Sequence, residues 1–188
     1  KSIKRWTKRQ DEEIYRLVWY IDATADYVRR GWLGDSLTDI NPYQFSEEDF
    51  AGCSDTQRST SGTLACVKGK NTFFPITAQS KRQTCVSTYT AEAEIVAAFT
   101  ALKSTGMPLL SLVDGLSALK RGMPVAGPAS SLSSHHVMQF RLDNTATIDI
   151  IRTGRNLTLR HLHRTHGVSI AWLHEQCSGE RISVTYVH

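Results

Sequence analysis

The sequence predicts an α/β fold, a five-stranded mixed sheet flanked by helices and preceded by an N-terminal helical extension. Two observations carry this. Three runs with strand character follow one another between residues 37 and 78, and two more short alternating runs come later, at 137–142 and 181–187. Between and after them lie Ala-, Glu- and Leu-rich segments of helical composition, punctuated by Gly and Pro. A chain of 188 residues with 40% apolar residues holds one domain, or one domain with an appendage.

The extension is read over residues 1–36. Residues 7–31 predict a helix: Thr7 is a suitable cap, Ile14, Leu17, Val18, Ile21 and Ala25 follow helical spacing, and Gly31 and Gly34 close it. Those apolar groups, with Trp6, are expected to bury one face against the domain or a partner. The domain is read over residues 37–188. Its first strand is expected at 37–46, with Pro42 pointing to a bulge or sheet edge. The next strands, 60–67 and 71–78, are joined by a hairpin turn at 69–71. A helix over 90–103 is stopped by Gly106-Met107-Pro108, and a second apolar helix spans 109–119. Residues 122–134, rich in Gly, Pro and Ser, read as a loop. After the strand at 137–142, a helix over 144–153 ends at Gly154. A further helix over 157–175 is weakened by Gly167, and the last strand covers 181–187. The sheet order expected from this succession is 3-2-1-4-5.

A net charge of +4 permits nucleic-acid binding without requiring it, and excludes a histone-like polycation. No apolar run approaches the ~20 residues of a membrane span, so no transmembrane segment is expected. Cys53, Cys66, Cys85 and Cys177 form no CxxC pair and read as reduced thiols of an intracellular protein of unspecified compartment. Lys1 in place of Met reads as a processed, excised or partly represented chain.

Four short motifs follow in order: FSEEDFAG at 45–52, QRSTSG at 57–62, SKRQTCVSTYTAEAEIVAA at 80–98 and LDNTAT at 142–147. Their order and spacing resemble the ribonuclease H domain of Copia-type retrotransposon polyproteins, where the pattern runs roughly YSDADWAG, RRSTSG, SKKQ, STAEAEY and DNQSA. The segment RWTKRQDEEIYRLVWYIDATADY resembles the connection that precedes that domain. The resemblance implies a ribonuclease H-like fold and a Mg²⁺ site made of carboxylates from separate elements. Carried over residue by residue, the metal ligands and catalytic acids are Glu47, Glu94 and Asp143. Two departures stand out. Glu47 replaces Asp, which moves the carboxylate outward by about one C–C bond, ~1.5 Å. The family's fourth Asp belongs to a helix after the last strand, and the sequence stops at His188 where that strand ends. Asp49 matches the family's second, non-catalytic Asp.

Each residue also has a plainer reading. Glu94 on an Ala-rich helix reads alone as a surface acid, and Asp143 as a helix cap. Arg152, Arg155, Arg160 and Arg164 lie in a stretch, 150–174, with several histidines and no acid. They suit a nucleic-acid backbone, and equally a solvated helix face or a protein contact. His161, His163, His166 and Cys177 do not match the spacing of a standard zinc site. Two functions are therefore carried forward. One is a retrotransposon-derived, catalytically impaired domain serving as a nucleic-acid-binding or scaffold subunit of a larger assembly with other protein subunits. The other is an active Mg²⁺-dependent ribonuclease H cutting RNA in RNA–DNA hybrids.

Overall fold

The computed structural model describes residues 6–28, 31–122 and 136–187. Contacts divide the chain into two compact units, Lys1–Gly31 and Trp32–His188. The first contains α1 (Lys8–Ala23), capped by Thr7, whose backbone N–H donates to Gln10 Oε1 at 3.0 Å. The helix stops well before residue 31. Thr24 turns its hydroxyl onto the Tyr20 carbonyl at 2.6 Å, and residues 24–26 form a turn instead of another helical turn. Within this unit no residue of α1 is buried, and Ile14, Leu17, Val18 and Ile21 are exposed.

The second unit is built on β1 (Asn41–Asp49), β2 (Thr60–Lys68), β3 (Phe73–Arg82), β4 (Met138–Leu142) and β5 (Ile182–Tyr186), in the order β3-β2-β1-β4-β5. β1–β2 and β2–β3 are antiparallel, while β1–β4 and β4–β5 are parallel. This is the ribonuclease H-like arrangement, as the sequence order leads one to expect. Pro42 sits in the central strand and not at an edge or bulge. The β4 ladder begins at Tyr43, so Pro42 precedes the stretch where a second neighbour pairs with β1. The irregularity falls instead between Ala65 and Cys66, where β2 meets β3.

The helices are α2 (Thr90–Ala101), α3 (Met107–Lys120), α4 (Thr145–Thr153), the single turn α5 (Leu162–Thr165) and α6 (Ile170–Ser178). Gly106-Met107-Pro108 does not stop the first of these. Residues Leu102–Gly106 form a π-helical turn that runs directly into α3, with Pro108 just beyond it in the first α3 turn. Thr105 anchors this turn: its hydroxyl lies 2.8 Å from the Ala101 carbonyl and 2.8 Å from Oε1 of the fully buried Gln44 on β1. The resulting 31-residue helix, Thr90–Lys120, reaches the length and mean hydropathy (1.4) of a membrane span by length and composition alone. It is nonetheless a core helix here, with Ala93, Ile95, Ala97, Ala98, Ala101 and Leu102 buried.

Gly167 does more than weaken a helix. At φ 67° it divides the expected 157–175 segment, and Ser169 caps α6 by accepting from Trp172 N–H at 3.1 Å. Gly154, at φ 70°, closes α4 as expected. The expected loop at 122–134 lies, beyond Gly122, outside the described residues. The main core joins Ile95, Leu102, Met138, Phe140, Leu142, Ile148, Ile151, Leu162, Leu173 and Ile182, and a smaller cluster joins Ile40, Ala65, Val67, Leu109 and Val113. Both clusters lie on one face of the sheet, the face that carries the helices. Within this unit the opposite face carries half-exposed Tyr43, Phe45, Lys68, Gln139 and Arg141.

Candidate acidic site

The period of β1 determines which of its acids faces the helices. Pro42, Gln44 and Ser46 are buried on the helix side, so the same alternation places Glu48 there, half-buried, and leaves Glu47 and Asp49 exposed on the other side. On α2, Glu94 is 6% exposed, among Ala93, Ile95 and Ala97. Asp143 follows the last residue of β4. It does not cap α4; Asn144 does, its Oδ1 accepting from Thr147 N–H at 2.9 Å.

These carboxylates act on one another. Burial, then the charges of Asp143, Glu48 and Glu47, then a hydrogen bond shared with Asp143, push the Glu94 carboxyl up to about 8. Burial, followed by Asp49, Asp143 and Glu47, pushes Glu48 up to about 7. Among the described residues, Glu94 Oε2 and Glu48 Oε2 are both buried without a hydrogen-bond partner. Two facing carboxylates have no proton to share while both are charged. Glu94 Oε2 is thus left without a partner, and a proton or a cation between the two carboxyls is favoured. Glu47 joins this field from the far side of β1. With Asp143, Arg141, Phe45, Leu64 and Gln79 it lines an open groove of about 300 Å³.

The donor set is all oxygen, partly buried and short of partners, which suits a hard divalent cation such as Mg²⁺. Among the described residues, however, no three His, Cys, Asp or Glu side chains are already drawn together around one ion position. Sequence reasoning did not single out Glu48 as a ligand. The signal that finds it is the inward alternation of Pro42, Gln44 and Ser46.

Sequence reasoning also missed Glu92. It is 1% exposed, accepts from Thr88 N–H at 2.6 Å and Thr88 Oγ1 at 2.7 Å, and lies 2.8 Å from His161 Nε2. Burial raises its carboxyl, but these hydrogen bonds outweigh that and hold it below the ordinary carboxylate range. Glu92 therefore ties α2 to the 157–166 segment and uses His161 structurally.

The four arginines separate. Arg155 and Arg160 line one groove of about 340 Å³ with His163 and the Ser169–Ala171 start of α6. Arg152 is exposed and reaches the Val184 carbonyl at 3.4 Å, while Arg164 is exposed outside that groove.

The strand order and the strand directions define the fold as ribonuclease H-like. No protein-family model matches the chain, and no curated protein matches it. Among solved structures, the chain is similar to the PFV RNase H domain at 12% identity and a TM-score of 0.39, over 79% of this chain and 78% of that one. It is also similar to the NurA nuclease from Sulfolobus solfataricus at 10% identity and a TM-score of 0.32, over 94% of this chain and 56% of that one.

Proposed function

We propose that the chain is a ribonuclease H-type nucleic-acid domain of Copia-type retrotransposon origin, with residues 1–36 as its connection-like extension. Its acidic site takes Mg²⁺ and acts on the RNA strand of an RNA–DNA hybrid. The observation that carries this is the buried Glu94 carboxyl, its Oε2 without a partner and the group coupled to Asp143 and Glu48. Such a group beside two like charges calls for a proton or a cation between them, and the all-oxygen donor set suits a cation. Glu94, Asp143 and Glu48 would hold the ion, with Glu47 at the rim of the open groove. A bound divalent ion supplies charge stabilisation at the scissile phosphate and a more acidic water. Burial and the charge of the exposed Asp143 hold Glu94 ready for such a cation. Arg155 and Arg160 neutralise the nucleic-acid backbone beside α6.

One observation favours a second reading, a binding or scaffold subunit with impaired catalysis: among the described residues no three acids are gathered around one ion position. Cleavage of a labelled hybrid with Mg²⁺ decides between them. Under the nuclease reading, Glu94→Gln and Asp143→Asn each lower the rate by at least about 100-fold, the cost of ~1 Å misplacement of reacting groups. Unimpaired hybrid binding without any Mg²⁺-dependent cleavage establishes the scaffold reading.

A further inference from the structure

We propose that Gln83 is a positioning residue for the acidic site, tying α2 to β2 so that Glu94 is held beside Glu48 and Asp143. The motifs QRSTSG at 57–62 and SKRQ at 80–83 contain no acid, yet their Ser61 and Gln83 meet between the elements that carry the acids. Gln83 follows the last residue of β3 and is buried. Its Nε2 donates to Ser61 Oγ at 3.0 Å and to the Ala93 carbonyl at 2.8 Å, and its Oε1 accepts from Ser87 Oγ at 3.2 Å. Each of the first two partners adjoins an acid. Ser61 lies directly opposite Glu48 in the β1–β2 ladder. The Ala93 carbonyl belongs to the peptide unit whose nitrogen is that of Glu94.

An amide does here what an apolar side chain of the same volume cannot. Its two N–H groups lie in one fixed plane, and one is spent on the strand, the other on the helix. The Ala93 carbonyl can only accept, so it sets which way the amide faces, and Ser87 satisfies the remaining end. A methionine would pack in the same space but leave α2 free to slide along the sheet. Sliding matters because Glu94, Glu48 and Asp143 repel one another and would drift apart if allowed to. The backbone of Gln83 steadies the other end of the site. Its N–H donates to the Ser59 carbonyl at 2.8 Å, and Ser59 Oγ accepts at 3.1 Å from the N–H of Ala51, in the turn after β1. Ser59, Ser61, Gln83 and Ser87 are each at most 5% exposed, so the network is closed within the second unit. The proposal rests on the preceding reading in taking Glu94, Glu48 and Asp143 as the ion's ligands.

The test compares Gln83→Met, which keeps the volume and removes the side-chain hydrogen bonds, with Thr105→Val, which removes a buried hydroxyl further along the same helix. Two quantities are measured on the 188-residue chain. One is Mg²⁺ affinity by titration calorimetry. The other is the pH titration of the Glu94 carboxyl carbon by ¹³C NMR in EDTA, with Glu94→Gln identifying the resonance. Gln83→Met should weaken Mg²⁺ binding about tenfold, the low end for a group that supports a metal ligand. It should also bring the Glu94 midpoint down from about 8 by about one pH unit or more, because a looser helix separates the like charges and admits water. Thr105→Val should lower stability in urea and move neither quantity. Ser61→Ala removes one bond and little volume; it should shift both quantities the same way by less, and it keeps the test alive if Gln83→Met unfolds. Both quantities unmoved in folded Gln83→Met and Ser61→Ala, or moved as far by Thr105→Val, overturn the proposal. An unmodified chain that binds no Mg²⁺ overturns the preceding reading instead, and the Glu94 titration, which needs no ion, then decides the role of Gln83.

Discussion

Replacing Glu94 by Gln should make the protein more stable at neutral pH when no divalent cation is present. The folded carboxyl is pushed up to about 8 from an ordinary value of 4.5. Between those values the folded state holds a proton that the unfolded chain has released. The group's contribution is therefore complete below pH 4.5 and is lost as pH rises through about 8. At ~1.4 kcal/mol for each pH unit, the loss between pH 5 and 7.5 is at most about 3 kcal/mol. Glu48 belongs to the same charge cluster, so its share is not added separately. For a domain of this size, about 2–4 °C in Tm for each kcal/mol makes the fall roughly 6–12 °C. The assay is circular-dichroism melting from pH 5 to 8, in EDTA and in Mg²⁺. In EDTA the unmodified chain should lose Tm as pH rises, Mg²⁺ should restore most of it near pH 7.5, and Glu94→Gln should flatten the slope and remove the Mg²⁺ response. A slope of equal size in Glu94→Gln, or none in the unmodified chain, would refute the coupling of Glu94 to its neighbours.

Two further predictions concern the scaffold. Glu92→Gln should destabilise by ~1–3 kcal/mol in urea unfolding, because it loses a charged acceptor for Thr88 and His161. Since the Glu92 carboxyl is held low in the fold, its contribution is present above pH ~4.5 and lost as pH falls further, so the variant should also show a shallower acid limb. Gly154→Ala should cost ~1–3 kcal/mol, since φ is 70° and the new Cβ would stand 2.6 Å from His174 Cγ; pairing it with His174→Ala should recover part of the loss in the same assay.

The element order and the strand order are written in the sequence because each rests on local pattern: alternation at 137–142, Ala-rich helix after 90, turns at 69–71 and 154. What was not legible depended on partners far away in the chain. Pro42 looks like an edge signal until one knows where the β4 ladder begins. Gly106-Met107-Pro108 looks like a stop until Gln44, 61 residues before Thr105, is there to hold a π-helical turn. Glu94 was found by motif, but Glu48 was hidden by its neighbour. Only the burial of Gln44 and Ser46 tells which of two adjacent acids turns inward. Glu92 was passed over because a buried acid is visible only together with the histidine that meets it.

The π-helical turn also sets where the long helix tolerates a change of length. Removing one residue from an α-helix swings everything beyond it by about 100°. A deletion near Ala97 would rotate Leu109, Leu110 and Val113 off the sheet. A π turn already holds one residue more than an α turn needs. Deleting exposed Lys103 or Ser104 lets Leu102–Gly106 tighten into ordinary helix while the faces on either side keep their phase. Along these 31 residues, natural insertions and deletions, and any engineered splice of the two halves, should therefore collect at this turn.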